Sequence, residues 1–152
     1  MEAHDYHIDL RWISDRKGIL SSPELDEASV GKDTSLEVAT PPDFPKGMPG
    51  IWSPEHLLTA AVSSCLMTTF LAIAENSKLE FSGFTCNAKG TVDTIDGKLV
   101  LSAVQLMPVV TIKQEHDRAR AERIIQKSEA ACLISNSIKS SVTITPTILI
   151  QA

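Results

Sequence analysis

Three cysteines, Cys65, Cys86 and Cys132, are the side chains in this sequence with the most chemistry to offer. A thiolate is a nucleophile, a metal ligand and a redox centre, whereas a buried thiol is a small hydrophobe, so the setting decides between the roles. The three are far apart, with no CxxC and no Cys/His cluster at zinc-ligand spacing, which argues against a metal site. Cys86 lies between Phe84 and Ala88 on the apolar face of a period-two segment, the setting of a packing residue. Cys65 shares the apolar arc of a helical segment with Leu58, Val62 and Ala72, and Cys132, between "EAA" and "LISNS", also reads as helical and apolar. Periodicity taken alone makes each a core residue and leaves its chemistry open.

The elements that must position these residues follow from the same periodicity. Tyr6, Ile8, Leu10 and Trp12 alternate with His7, Asp9 and Arg11, the pattern of a half-buried strand. "SDRKG" reads as a turn into a second strand from Ile19, and "SLEVAT", after a polar stretch from Ser22 to Asp33, as a short third strand. "PPDFPKGMPG" holds four of the eight prolines and two of the seven glycines and must be a loop. The segment from Ser53 to Asn76 then opens as a helix, with Ser53 as N-cap, Pro54 at the first helical position and Glu55 at the positive end of the dipole. Its apolar residues go nearly all the way round, which predicts a central, buried helix. Phe81 to Val92 returns to period two, and Asp96 and Gly97 turn the chain into a return strand from Leu99 to about Ile112. A second helix is expected from near Asp117 towards Lys139, and a last strand over "VTITPTILI". The order predicts one α+β domain over residues 1–152, with mainly antiparallel sheets around a buried central helix.

Composition narrows the function classes. With 152 residues, 43% hydrophobic and 22% charged, the chain can bury a core of its own. A net charge of −5 and a pI near 5.3 argue against a nucleic-acid surface. The one dense basic stretch, "HDRARAER", carries its own acids and reads as a solvated helix face laced with ion pairs. The N-terminus lacks the basic start and apolar block of a signal peptide, and no window reaches about 18 uninterrupted apolar residues. The expectation is a cytoplasmic protein without membrane, metal or cofactor, whose cysteines in that reducing compartment are not a disulfide scaffold.

The run "SPEHLLTAAVSSC" resembles the signature of the OsmC/Ohr family, the osmotically inducible and organic hydroperoxide resistance proteins. In that family a Pro-Glu pair opens a central helix and the reactive cysteine comes ten residues after the glutamate, the spacing of Glu55 and Cys65. "EAACLISNSIK" resembles the family's second cysteine segment, and "FTCNAKGTVD" with the strand through Pro108 resembles the hairpin between. "DRKG" is similar to the early turn in which an arginine two residues before a glycine, here Arg16, serves the active site. The resemblance spans roughly residues 6 to 150. Leu133 departs from it, standing where many members carry proline.

What the resemblance implies is a thiol peroxidase that reduces organic hydroperoxides to alcohols. Cys65 becomes a sulfenic acid, Cys132 resolves it as a disulfide, and a dithiol such as a lipoylated protein restores both. A cysteine with an ordinary pKa of about 8.5 is only a few per cent thiolate at neutral pH, and burial lowers that fraction further, so a cation is needed. Arg16 is the candidate, held by a forked pair to the carboxylate of Glu55. Leu57, Leu58, Met67 and Ile134 would line an apolar pocket that favours organic peroxides. Ten residues of ideal helix amount to roughly 15 Å of rise and about 80° of rotation, too far for Glu55 to reach its own Cys65. Either Arg16 bridges them or a second chain supplies its Glu55, and an intertwined homodimer satisfies the second case while covering the all-round apolar helix. The competing reading is a non-catalytic OsmC-like domain that binds a small hydrophobic ligand, with the cysteines kept for packing.

Overall fold

Asp96 and Gly97 both take positive φ, 51° and 76°, the backbone of a two-residue hairpin turn whose twist matches that of its strands. They join the two longest strands of the fold, and the rest of the second half of the chain packs on that hairpin. The computed structural model describes every residue from Met1 to Ala152 and divides into two compact units, Met1–Leu57 and Leu58–Ala152.

The first unit holds an antiparallel sheet of β1 (Asp9–Ser14), β2 (Lys17–Ser21) and β3 (Leu36–Ala39), in that order, with the short helix α1 (Pro23–Ala28) between β2 and β3. The stretch expected to be featureless from Ser22 thus folds into a helical turn and a half, started by Pro23 with Glu24 and Asp26 in its first turn. β1 also differs from expectation. The alternation is present, but all six strand residues are exposed, with Leu10 at 67% and Trp12 at 72%. Tyr6 and Ile8 precede the strand and are exposed as well. The proline-rich segment is a loop, in which a Cβ on Gly47 would collide with the Pro41 carbonyl. The loop returns so that the Ala39 N–H donates to the Trp52 carbonyl at 2.8 Å.

The helix α2 (Pro54–Asn76) starts at the end of this unit and runs through the second. Its start is the expected one: the His56 backbone N–H donates to Ser53 Oγ at 3.2 Å, with Ser53 fully buried. β4 (Phe81–Ile95) and β5 (Lys98–Ile112) form the long antiparallel hairpin. A 3₁₀ turn (Glu115–Asp117), α3 (Arg118–Ala130), a second 3₁₀ turn (Ser135–Ser137), β6 (Ser141–Ile144) and β7 (Thr147–Ile150) follow. The basic stretch behaves as its charges suggest. Arg118 pairs with Glu115 at 2.8 Å, and Arg120 pairs with Asp117 at 3.4 Å while donating to the Ser77 and Lys78 carbonyls at the end of α2.

Three expectations are corrected here. The last strand is two strands divided at Pro146, which has no N–H for a ladder, and both pair parallel with β5 at successive registers. The α+β class with mainly antiparallel pairing holds, and these two parallel pairings make the second sheet a mixed one. The second helix ends at Ala130, where Asn136 Nδ2 donates to the Ala130 carbonyl and offers it a partner outside the helix. The central helix buries only the stripe Val62, Leu66, Phe70 and Ala74, at i, i+4 spacing, because a sheet covers one side of a helix; Met67 and Leu71 stay exposed at 38% and 40%. By length and composition α2 is apolar enough to cross a membrane, yet that stripe is the core of the second unit. Phe70 and Ala74 pack with Val110, Ile112 and Ile125, and Val62 and Leu66 with Val104 and Leu106. Each of the large side chains contributes about 1.5–3 kcal/mol by leaving water.

Candidate active site

Cys65 precedes Leu66 on α2 and so sits at the edge of the stripe packed on β5. Cys132 comes two residues after the end of α3, in a turn rather than in the helix expected for it. The Cys132 N–H donates to the Glu129 carbonyl at 3.1 Å, and the Cys132 carbonyl accepts from the Asn136 N–H at 3.0 Å, so the turn is closed on both sides. Ile134 and Ile138, downstream in the same segment, pack on Val62, Leu66, Val104 and Leu106. One apolar cluster therefore seats both cysteine segments, and it sets the two thiols near enough to bias each other's ionisation.

The two sulfurs are not equivalent. Cys65 is half-buried and Cys132 fully buried, so an incoming molecule meets Cys65 first. Burial pushes the Cys65 thiol up, but the Cys132 thiol, the Ile134 N–H, the Thr69 hydroxyl and the Leu133 N–H all favour its thiolate, and the net direction is down. Thr69 Oγ1 lies 4.0 Å from the Cys65 sulfur, one helical turn further along α2. Cys132 moves the other way: burial raises it, and donation to Cys65 raises it again, against a smaller opposing effect of Ser135. A thiol whose ionised form is favoured, beside one whose neutral form is favoured, is what a nucleophile and its resolving partner require. Cys86 on β4 is pushed up by desolvation, its sulfur lies 3.7 Å from the Asn87 carbonyl, and its side chain packs against the Val62 and Leu66 cluster, consistent with a packing role.

Arg16 and Glu55 belong to the first unit. Arg16 follows Asp15, whose φ is 47°, in the turn between β1 and β2; its side chain is exposed and its carbonyl accepts from the Thr40 N–H at 3.3 Å. Glu55 stands in the first turn of α2, beside the Ser53 and His56 pair, whose Oγ and Nδ1 are 2.6 Å apart. No three His, Cys, Asp or Glu side chains are grouped as a metal site would need. Sequence reasoning missed the groups that act on Cys65 within its own unit. Thr69 was available from helical spacing, four residues on. The Leu133 and Ile134 amides carry no signal in residue type, because every non-proline residue has an N–H.

A long core helix laid on an antiparallel hairpin that is extended by parallel strands, with two cysteine segments on one apolar cluster, defines an α+β protein with a paired-cysteine site. Residues 47–147 match the family of OsmC-like proteins, and the chain belongs to that family. It is 26% identical over 148 residues to the uncharacterized protein YmaD of Bacillus subtilis, covering 93% of this chain and 91% of that one. Among solved structures it is similar to an OsmC-like protein of unknown function from Vibrio cholerae, with a TM-score of 0.81, 20% identity and coverage of 95% and 99% of the two chains. It is also similar to an organic hydroperoxide resistance protein OsmC from Legionella pneumophila, with a TM-score of 0.71, 16% identity and coverage of 98% and 99%. At these identities the solved structures speak for the fold.

Proposed function

We propose that this protein reduces organic hydroperoxides to alcohols with Cys65 as the attacking thiolate and Cys132 as the resolving thiol. The observation that carries the reading is the thiol pair itself, in which the accessible sulfur is favoured as thiolate and the buried one is kept neutral. The Cys65 thiolate attacks the terminal peroxide oxygen, the O–O bond breaks, and the alkoxide takes a proton and leaves as alcohol. Cys132 then attacks the Cys65 sulfenic acid, giving a disulfide and water. A dithiol, such as a lipoylated protein, reduces that bond and is itself oxidised to a cyclic disulfide. This chemistry suits the reducing cytoplasm.

Arg16, held by Glu55, completes the site in this reading by binding the peroxide oxygen and adding positive charge near the thiolate. The working unit is a homodimer built from chains that each act as one domain over residues 1–152. The exposed apolar side chains Leu10 and Trp12 of β1 and Met67 and Leu71 of α2 support an unfilled interface. The name of the Legionella relative, an organic hydroperoxide resistance protein, points to the same substrate class.

The test is consumption of cumene or tert-butyl hydroperoxide with reduced lipoamide as electron donor. Turnover is expected in the parent and none in Cys65→Ser, whose hydroxyl ionises far less readily than a thiol. Cys132→Ser allows one turnover and then leaves Cys65 as sulfinic or sulfonic acid, seen by mass spectrometry in place of the Cys65–Cys132 disulfide. Undiminished turnover in Cys65→Ser, or a disulfide to Cys86, would sink the assignment and leave the ligand-binding reading.

A further inference from the structure

Beside the two thiols lies a half-buried carboxylate, with one oxygen sealed from solvent, that the cycle above does not use. Glu129 is in the last turn of α3, next to the fully buried Ser128 and three residues before Cys132. Its Oε2 is sealed from solvent and completes no hydrogen bond, and the same is true of Ser135 Oγ. Buried polar atoms left in this state are uncommon and costly. The Ser135 hydroxyl has two neighbours, the Glu129 carboxylate and the Cys132 thiol. The other titratable group that faces Glu129 is the Cys86 thiol of β4, and no Lys or Arg offsets the charge. Desolvation accordingly pushes the Glu129 carboxyl up, with Ser135 drawing it partly back.

The resolving step gives this arrangement a use. In the reduced protein burial favours the protonated form of Cys132, and the ionised form of the neighbouring Cys65 favours it further. Once Cys65 is a sulfenic acid that charge is gone, and Cys132 must lose the proton in order to attack. It is fully buried, so the proton cannot pass straight to bulk water. We propose that Glu129, acting through the Ser135 hydroxyl, accepts the proton that Cys132 gives up when it closes the disulfide. The Cys132 S–H proton passes to Ser135 Oγ while the Ser135 O–H proton passes to the carboxylate. The sulfur pair forms the S–S bond, the S–O bond of the sulfenic acid breaks, the departing hydroxide takes a proton from solvent at the half-buried Cys65 and leaves as water, and Glu129 then returns its proton to solvent. In this relay Ser135 is the group next to the reacting thiol, and Glu129 is a positioning residue that acts through it. The role in peroxide reduction rests on the function proposed above, whereas the relay itself serves any attack by Cys132.

The experiment uses the full chain in a Cys86→Ala background and reads the attack by Cys132 in two ways. One equivalent of cumene hydroperoxide, quenched over time and analysed by mass spectrometry, separates sulfenic acid formation from disulfide formation. Dithiobis-nitrobenzoate needs no peroxide: Cys65 releases one thionitrobenzoate, and Cys132 releases a second by attacking the mixed disulfide. Glu129→Gln is expected to slow disulfide formation and the second release on the order of a hundredfold, the scale of a lost general base, and to leave sulfenic acid formation and the first release unchanged. The parent's second phase should gain rate as Glu129 ionises, and the Gln variant should lose that limb of the pH profile. Ser135→Ala should repeat the defect and Ser135→Thr, which keeps the hydroxyl, should restore the rate. A second phase in Glu129→Gln with the parent's rate and pH profile would overturn the proposal, and so would equal slowing of both phases, which marks a structural role. If the parent forms no sulfenic acid with peroxide but its second release still depends on Glu129, the relay stands and the hydroperoxide reading falls.

Discussion

Replacing Cys132 by alanine should make Cys65 less reactive, although Cys132 is the residue that reacts second. The Cys132 thiol is the largest of the groups that favour the Cys65 thiolate, and burial is the influence they outweigh. Removing it leaves the burial in place and takes away one hydrogen bond to a charged acceptor, a loss of about 1.5 kcal/mol. A free-energy change of that size raises the pKa by about one unit and lowers the thiolate fraction at neutral pH about tenfold. The assay is the rate of Cys65 alkylation by iodoacetamide as a function of pH, in a Cys86→Ala background, with the alkylated residue identified by mass spectrometry because Cys132 remains in the parent. Alanine also opens space beside Cys65 and can speed access, so the quantity to compare is the midpoint of the profile, not the rate at one pH. The midpoint should move to higher pH in Cys132→Ala, and the two proteins should converge where both thiols are fully ionised. Cys132→Ser retains an O–H donor and should fall between them. An unmoved midpoint in Cys132→Ala would refute the reasoning, because it would mean that the Cys65 thiolate owes nothing to its partner.

Arg16→Ala should raise the midpoint of the Cys65 profile by more than a unit, about 1.4 kcal/mol, if Arg16 supplies charge to the thiolate; Arg11→Ala is the control, and a shift in Arg11→Ala alone would transfer the role. Leu133→Pro, which installs the residue that many relatives carry, removes the smallest of the donors acting on Cys65 and should raise the midpoint by less than Cys132→Ala does, within the roughly 1.5 kcal/mol scale of one charge-assisted hydrogen bond. Gly90→Ala should destabilise the protein, since a Cβ there would collide with the Thr59 hydroxyl across the α2–β4 contact, and thermal unfolding measures the loss.

The parts of the fold that could be read from the sequence are those whose cause is local. The turn at Asp96 and Gly97 needs two residues that tolerate positive φ, and the dipeptide supplies them. The start of α2 needs an N-cap oxygen and a residue whose missing N–H does no harm, and Ser53 and Pro54 supply those. The parts that could not be read depend on competition or on distant partners. The end of α3 is decided by whether Ala130 keeps a helical partner or takes the Asn136 side chain, a choice that periodicity does not register. β6 and β7 have the alternation of any strand, and nothing local says that they join β5 in parallel. The exposure of β1 is likewise invisible, because alternation marks a face that is apolar without saying what covers it.

The same division separates the two halves of the candidate site. Cys65 and Cys132 were named from motif resemblance, yet the chemistry that distinguishes them lies in groups without a motif: two backbone amides, a threonine hydroxyl and each other. Those groups meet because the helix stripe of Val62 and Leu66, the β5 residues Val104 and Leu106, and the downstream Ile134 and Ile138 share one apolar cluster. Packing of this kind is directional once the rotamers are set, and a core at crystalline density does not let either segment slide. The thiol pair is therefore a consequence of the hairpin. β5 presents Val104 and Leu106 on one face at period two, α2 adds Val62 and Leu66 four residues apart, and the segment after α3 packs Ile134 and Ile138 against the cluster they form. The two cysteine segments come together because both periodicities match one patch of strand.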